Sequence, residues 1–155
     1  MKVFPLAFFE KESDINTIIN LERVDLTSTY FCYPHSLSCG FPSPADDYIE
    51  TMPSLNELLI KHPSATILAR AQGQSMVERG IMDGSLLIID RALEPKHNDT
   101  IVASLHSELT VKILDLQNKQ LLPANIEHSP IPLPDDIDVF CEGVVTYCIT
   151  SQQAL

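Results

Sequence analysis

Beyond residue 64, apolar positions along the chain fall into short runs with a two-residue rhythm rather than a helical one. Stretches 65–71, 85–90, 100–105, 108–115 and 119–122 are rich in Ile, Val, Leu and Thr, and turn-prone pairs such as Asp83-Gly84 and Asn98-Asp99 separate them. A last stretch, 139–149, is also strand-like and follows a loop, 123–134, that carries four prolines. Many short strands and few helices predict a mainly β domain with curled sheets. Helical patterning is confined to two places. Ile15, Ile18 and Ile19 have helical spacing and predict one short element over 14–21. Pro53-Ser54-Leu55-Asn56-Glu57 carries a capping box, Ser54 with Glu57 three residues on, and predicts a short helix running to about Lys61 and stopped by Pro63.

The first 39 residues differ from the rest. They are too poor in patterned apolar positions to fold alone, and they read as an arm, 1–39, lying on something else. The breaker cluster Cys39-Gly40-Phe41-Pro42-Ser43-Pro44 marks the boundary with a β-rich domain over 40–155. Most such clusters are only linkers. A length of 155 residues agrees with one ordinary domain and a short appendage.

Charge narrows the class of partner. The net charge is −11 at pH 7 and the basic residues form no stripe, which disfavours direct nucleic-acid binding and favours protein partners. Cys32, Cys39, Cys141 and Cys148 lack CxxC spacing and have no histidine at finger spacing, so neither a structural metal nor a cofactor is expected. The apolar start, 1–9, runs into charges rather than a small-residue cleavage site, and no run approaches membrane-spanning length. A cytoplasmic chain with reduced thiols and no membrane contact is expected.

Two residues carry candidate chemistry. Ser75, in Gly73-Gln74-Ser75-Met76, follows a glycine at the end of a strand-like run, where a bend can present a hydroxyl. Lys112 sits inside the apolar run Leu109-Thr110-Val111-Lys112-Ile113-Leu114, with Thr110 and Leu114 on its own face. A buried ammonium is costly and escapes that cost by losing its proton, and a neutral amine near a serine is a base that makes a nucleophile without histidine. On spacing alone, a turn serine and a strand lysine with its head in water is the simpler reading. A hydrolase elbow would need a second glycine where Val77 stands. His35, His62, His97, His106 and His128 form no HExxH pattern and read as surface or turn residues, which leaves a Ser-His-Asp enzyme as a lesser alternative. Cys141 and Cys148 read as core filler.

Together these pieces resemble the UmuD and LexA group of self-cleaving proteins, the S24 serine-lysine peptidases. The likeness covers roughly 39–145. Cys39-Gly40-Phe41-Pro42-Ser43-Pro44-Ala45 resembles the scissile segment, Gly73-Gln74-Ser75-Met76 the nucleophile motif, Asp83-Gly84-Ser85-Leu86-Leu87-Ile88 the strand that follows, and Thr110-Val111-Lys112 the lysine strand. Order and separation agree too, with 35 positions from Gly40 to Ser75 and 37 from Ser75 to Lys112. Asn98 stands where that group usually has glycine, and asparagine also tolerates left-handed backbone angles.

The resemblance implies a LexA/UmuD-like curled β-sheet and RecA-stimulated self-cleavage between Cys39 and Gly40. Ser75 would be the nucleophile, Lys112 the general base, and the backbone N–H groups of Ser75 and Met76 the oxyanion hole. It implies an SOS-mutagenesis role: a homodimer activated by a RecA filament on single-stranded DNA, joining a UmuC-type Y-family polymerase subunit and meeting replicative polymerase components. The stretch 139–149 then fits a dimer edge, with burial inside one chain as the equal alternative. An arm of 39 residues is too short for the winged helix-turn-helix of repressor relatives. Two other classes fit less completely: a non-catalytic polymerase-binding or regulatory module of the same fold, and a signal-peptidase-like enzyme, which normally needs a membrane anchor.

Overall fold

A computed structural model describes residues 18–20, 30–32, 50–52, 54–105, 108–133 and 140–153. The breaker cluster and the expected scissile bond between Cys39 and Gly40 lie outside the described residues, as do His35 and His106. The chain divides into two compact units, Met1–Glu22 with His62–Leu155, and Arg23–Lys61.

In the smaller unit, β2 (Tyr30–Cys32) pairs antiparallel with β3 (Glu50–Met52), Tyr30 opposite Met52. A short helix, α1 (Leu55–Leu59), follows. Ser54 caps it as the capping box predicts, its hydroxyl oxygen accepting the Glu57 N–H over 3.3 Å. The helix stops slightly earlier than expected, with Ile60 already extended. Pro63 restricts the backbone just beyond, and five helical residues are too few to resist fraying.

The larger unit is built on one antiparallel sheet. Its strands are β1 (Ile18–Asn20), β4 (Thr66–Arg70), β5 (Leu86–Asp90), β6 (Thr100–Leu105), β7 (Glu108–Asp115), β8 (Gln120–Leu122), β9 (Ile131–Pro132) and β10 (Phe140–Ile149), in the spatial order β1-β4-β5-β10-β6-β7-β8-β9. The mainly β fold read from the sequence is thus the observed one. The helical element expected over 14–21 is not: Ile18 to Asn20 pair with Ala69 to Ile67 as a strand. Two adjacent β-branched isoleucines suit an extended backbone, and sheet pairing outweighs a weak helical period.

The sheet buries both faces. Ile67, Ala69, Leu87, Ile89, Val102 and Ile113 form one apolar cluster, and Ile101, Ala103, Leu114, Leu121, Cys141 and Val144 the other. Leu87, Ile89, Ile101 and Leu121 are almost fully buried, each a gain of roughly 1.5–3 kcal/mol. Cys141 and the half-buried Cys148 pack with opposite clusters, as filler for each. Burial pushes the Cys141 thiol up from its ordinary value, which keeps it protonated and unreactive.

β10 knits the sheet together. Its first half pairs with β6 and its second half with β5, and a register shift falls in each ladder. The stretch for which a dimer edge and burial within one chain are equal alternatives in the sequence thus pairs with β6 and β5 inside the chain, each half on one side. At the first shift stands Gly143, where an added Cβ would lie 2.7 Å from Ile89 Cγ2 and 3.1 Å from the Asp90 carbonyl oxygen. Only glycine lets the strands approach this closely.

A carboxylate organises the β7–β8 turn. Asp115 accepts from the Asn118 and Gln120 side-chain amides at 2.7 and 2.9 Å and from the backbone N–H groups of Gln117 and Asn118. Those bonds, led by the Asn118 side chain, hold its carboxyl down from the ordinary 3.8 to about 2, against a smaller opposing effect of burial.

Two outcomes are expected. Gly143→Ala should lower the unfolding free energy by about 1–3 kcal/mol, measured by urea denaturation, because neither Ile89 nor the Asp90 backbone can yield cheaply. For Asp115 the folded carboxyl is more acidic than the unfolded one, so its stabilisation is full above the ordinary value of 3.8 and fades as the pH falls towards about 2. The urea midpoint of Asp115→Asn should accordingly lie below that of the native chain at pH 6 and converge on it near pH 2; parallel curves would contradict this.

Candidate active site

Ser75 lies on a loop that leaves the sheet where β4 ends. Ala71 extends the β4–β5 ladder, its N–H donating to the Ser85 carbonyl and its own carbonyl accepting from Gly84, both at 2.8 Å. Gly73 then turns the chain with a φ of +89°, and its N–H donates to the Asp83 carboxylate over 2.7 Å. A side chain is strained at this backbone angle, which is why a glycine precedes the serine.

Three further sets of bonds fix the loop. The Ala124 N–H donates to the Ser75 carbonyl at 2.8 Å, the Glu78 N–H donates to the Ala124 carbonyl at 2.9 Å, and the Asn125 side-chain amide donates to the Gln74 carbonyl at 2.9 Å. A 3-10 turn, Val77–Arg79, follows directly and closes on Gly80 in the left-handed region. Arg79 reaches across to the Asn98 carbonyl at 3.3 Å. Asn98 itself adopts a φ of +71°, so the asparagine keeps the turn that glycine would make.

Lys112 comes from β7, opposite Ile101 of β6. Its side chain is only 7% exposed, and its Nζ lies 2.9 Å from Ser75 Oγ, 3.0 Å from Thr110 Oγ1 and 3.0 Å from the Val111 carbonyl oxygen. The fold thus brings together the serine and lysine singled out in the sequence. Each of these three oxygens can accept from Nζ, and in the neutral form of the amine the lone pair would face the Ser75 hydroxyl.

A small open cavity of about 70 Å³ holds both groups. Ala71, Met76, Ile81, Leu109 and Val111 give it an apolar lining of modest size. Among the described residues, neither the Ser75 nor the Met76 backbone N–H meets an acceptor. No histidine lines the cavity among the described residues. His62 pairs instead with the buried Asp90, Nδ1 to Oδ2 at 2.6 Å. His97 Nδ1 accepts the Leu116 N–H.

Sequence reasoning missed the partners that hold these two groups. Thr110 was visible only as a residue sharing a face with Lys112, and period-two alternation was its signal. Ala124 and Asn125 gave none, since their contacts with the serine loop arise only from the fold.

Residues 32–146 match the Peptidase S24-like family. The chain is 42% identical to ImpA of Escherichia coli over 113 residues, 71% of this chain and 76% of that protein. It is 39% identical to SamA of Salmonella typhimurium over 126 residues, 81% of this chain and 88% of that protein. MucA of Escherichia coli is 40% identical over 119 residues, 76% of this chain and 82% of that protein. The resemblance first carried by a few short motifs therefore extends along most of the sequence, and this chain belongs to the Peptidase S24-like family.

Proposed function

We propose that this protein is a self-cleaving serine peptidase of the SOS-mutagenesis group, in which Ser75 attacks the bond between Cys39 and Gly40 with Lys112 as its base. The observation that carries the reading is the 2.9 Å contact between Ser75 Oγ and the Nζ of a lysine that is 7% exposed. Family membership and the likeness to ImpA, SamA and MucA support it.

The chemistry follows from the groups present. Neutral Lys112 takes the Ser75 hydroxyl proton as Oγ bonds to the Cys39 carbonyl carbon. The backbone N–H groups of Ser75 and Met76 stabilise the resulting oxyanion. Collapse breaks the carbon–nitrogen bond, Lys112 returns its proton to the Gly40 nitrogen, and an ester joins Cys39 to Ser75. Water, deprotonated by Lys112, then hydrolyses that ester. The small cavity suits a small side chain such as that of Cys39 before the cut and glycine after it.

Because the substrate is part of the same protein, the scissile bond is held at high local concentration and each chain reacts once. Control then rests on how often the bond enters the site, which is the step a RecA filament on single-stranded DNA accelerates in this reading. Removal of 1–39 leaves a fragment with seven basic and sixteen acidic side chains. Such an acidic fragment suits a homodimeric, cytoplasmic accessory to a UmuC-type Y-family polymerase, with contacts to replicative polymerase components, while its partners hold the DNA.

Two experiments test this. Spontaneous cleavage, followed by gel densitometry, should accelerate between pH 7 and pH 10 as Lys112 loses its proton; a flat profile would exclude the lysine as base. Ser75→Ala should abolish cleavage stimulated by the RecA filament. Unchanged cleavage of that variant would instead favour a non-catalytic module trimmed by another protease.

A further inference from the structure

A chain of hydroxyls ties the end of β10 to the turn that follows the nucleophile. The Met82 N–H donates to Ser85 Oγ at 3.0 Å, Ser85 Oγ lies 2.8 Å from Thr150 Oγ1, and Thr150 Oγ1 donates to the Gly80 carbonyl at 3.3 Å. Proton counting fixes its direction. The Gly80 oxygen can only accept, so the single Thr150 hydroxyl proton is committed to it, and Ser85 must donate to Thr150. Each hydroxyl therefore accepts one bond and donates one, an arrangement in which the bonds reinforce each other. Ser85 is 2% exposed, so water does not substitute for its partners. Cys148 Sγ, 3.6 Å from the Gly80 oxygen and from Thr150 Oγ1, adds only a weak contact.

Gly80 is the closing residue of the 3-10 turn that begins beside Ser75. Its N–H donates to the Val77 carbonyl at 2.9 Å, and the Arg79 and Ile81 N–H groups both donate to the Met76 carbonyl, at 3.0 and 3.3 Å. Met76 and Ile81 are buried and line the cavity. The Gly80 carbonyl is thus one end of a tightly bonded segment whose other end carries the Met76 N–H.

We propose that Thr150 is a positioning residue for the serine loop: its hydroxyl anchors the Gly80 carbonyl and so sets the orientation of the Ser75–Met76 backbone. The consequence for cleavage rests on the self-cleaving reading above. Thr150 touches neither the nucleophile nor the base. Its loss should misplace the oxyanion donors and leave the ionisation of Lys112 alone.

The test compares Thr150→Val, which keeps the shape and removes the hydroxyl, with Thr150→Ser, which restores it. Self-cleavage of T150V is expected to be about tenfold slower at every pH from 7 to 10, the scale on which small misplacements act. The midpoint of its pH profile should stay where it is, and T150S should cleave within about twofold of the native rate. A native rate for T150V, a displaced midpoint, or a T150S as slow as T150V would overturn the proposal. Amide hydrogen exchange supplies a readout that does not need cleavage: T150V should lose protection at residues 76–81 and retain it in β6 and β7. If the native chain fails to cleave, the self-cleaving reading is lost, while unchanged exchange at 76–81 separately removes the role assigned to Thr150.

Discussion

The contact between Lys112 Nζ and Ser75 Oγ is the constraint on which the rest of this structure depends. It joins residues 37 positions apart and needs a lysine withdrawn from water. Burying an amine is unfavourable unless its polar groups find partners, and among the described residues three oxygens lie within hydrogen-bond distance of Nζ. Two come from the same strand, so β7 must keep its register. Its six-residue pairing with β6 does that, and the Asp115 turn fixes its far end. The third partner is the serine, whose loop has no regular structure of its own. Asp83, through the Gly73 N–H, and Ala124 and Asn125, from the loop after β8, hold it by hydrogen bonds.

Much of this was legible in the residues, for physical reasons. Period-two runs located β4, β5, β6, β7, β8 and β10 within a residue or two, because each is bounded by residues that favour turns. Asn98 could be read as a left-handed turn residue because its side chain tolerates that geometry, and it adopts it. The serine and lysine stood out, but their meeting could not be derived from spacing; it depends on the way β7 is carried back beside the end of β4. Ile18 and Ile19 misled because a three-residue strand has too few positions to show a period. Alternation over 139–149 marked a strand without naming its neighbours, because the exchange from β6 to β5 at Val144 appears only once the sheet is assembled. Braces from Ala124 and Asn125 carry no sequence pattern at all.

The chemistry and the fold make opposing demands on the same atoms. Stability alone would favour an apolar side chain at position 112, and a more regular backbone at Gly73. Both are retained where the reaction would need them, a neutral base beside a hydroxyl and a bend that presents it. The cavity is small, with polar and apolar groups sharing its walls, which would suffice for the tethered substrate of the proposed self-cleavage, since the chain itself would supply proximity.

The most direct test of the central claim is the intact mass of the purified protein after incubation with RecA, single-stranded DNA and a nucleoside triphosphate, beside Lys112→Ala treated identically. The account predicts a new species beginning at Gly40 in the native sample and none in the variant. The same fragment from both, or none from the native chain with a filament that cleaves another substrate, would contradict it.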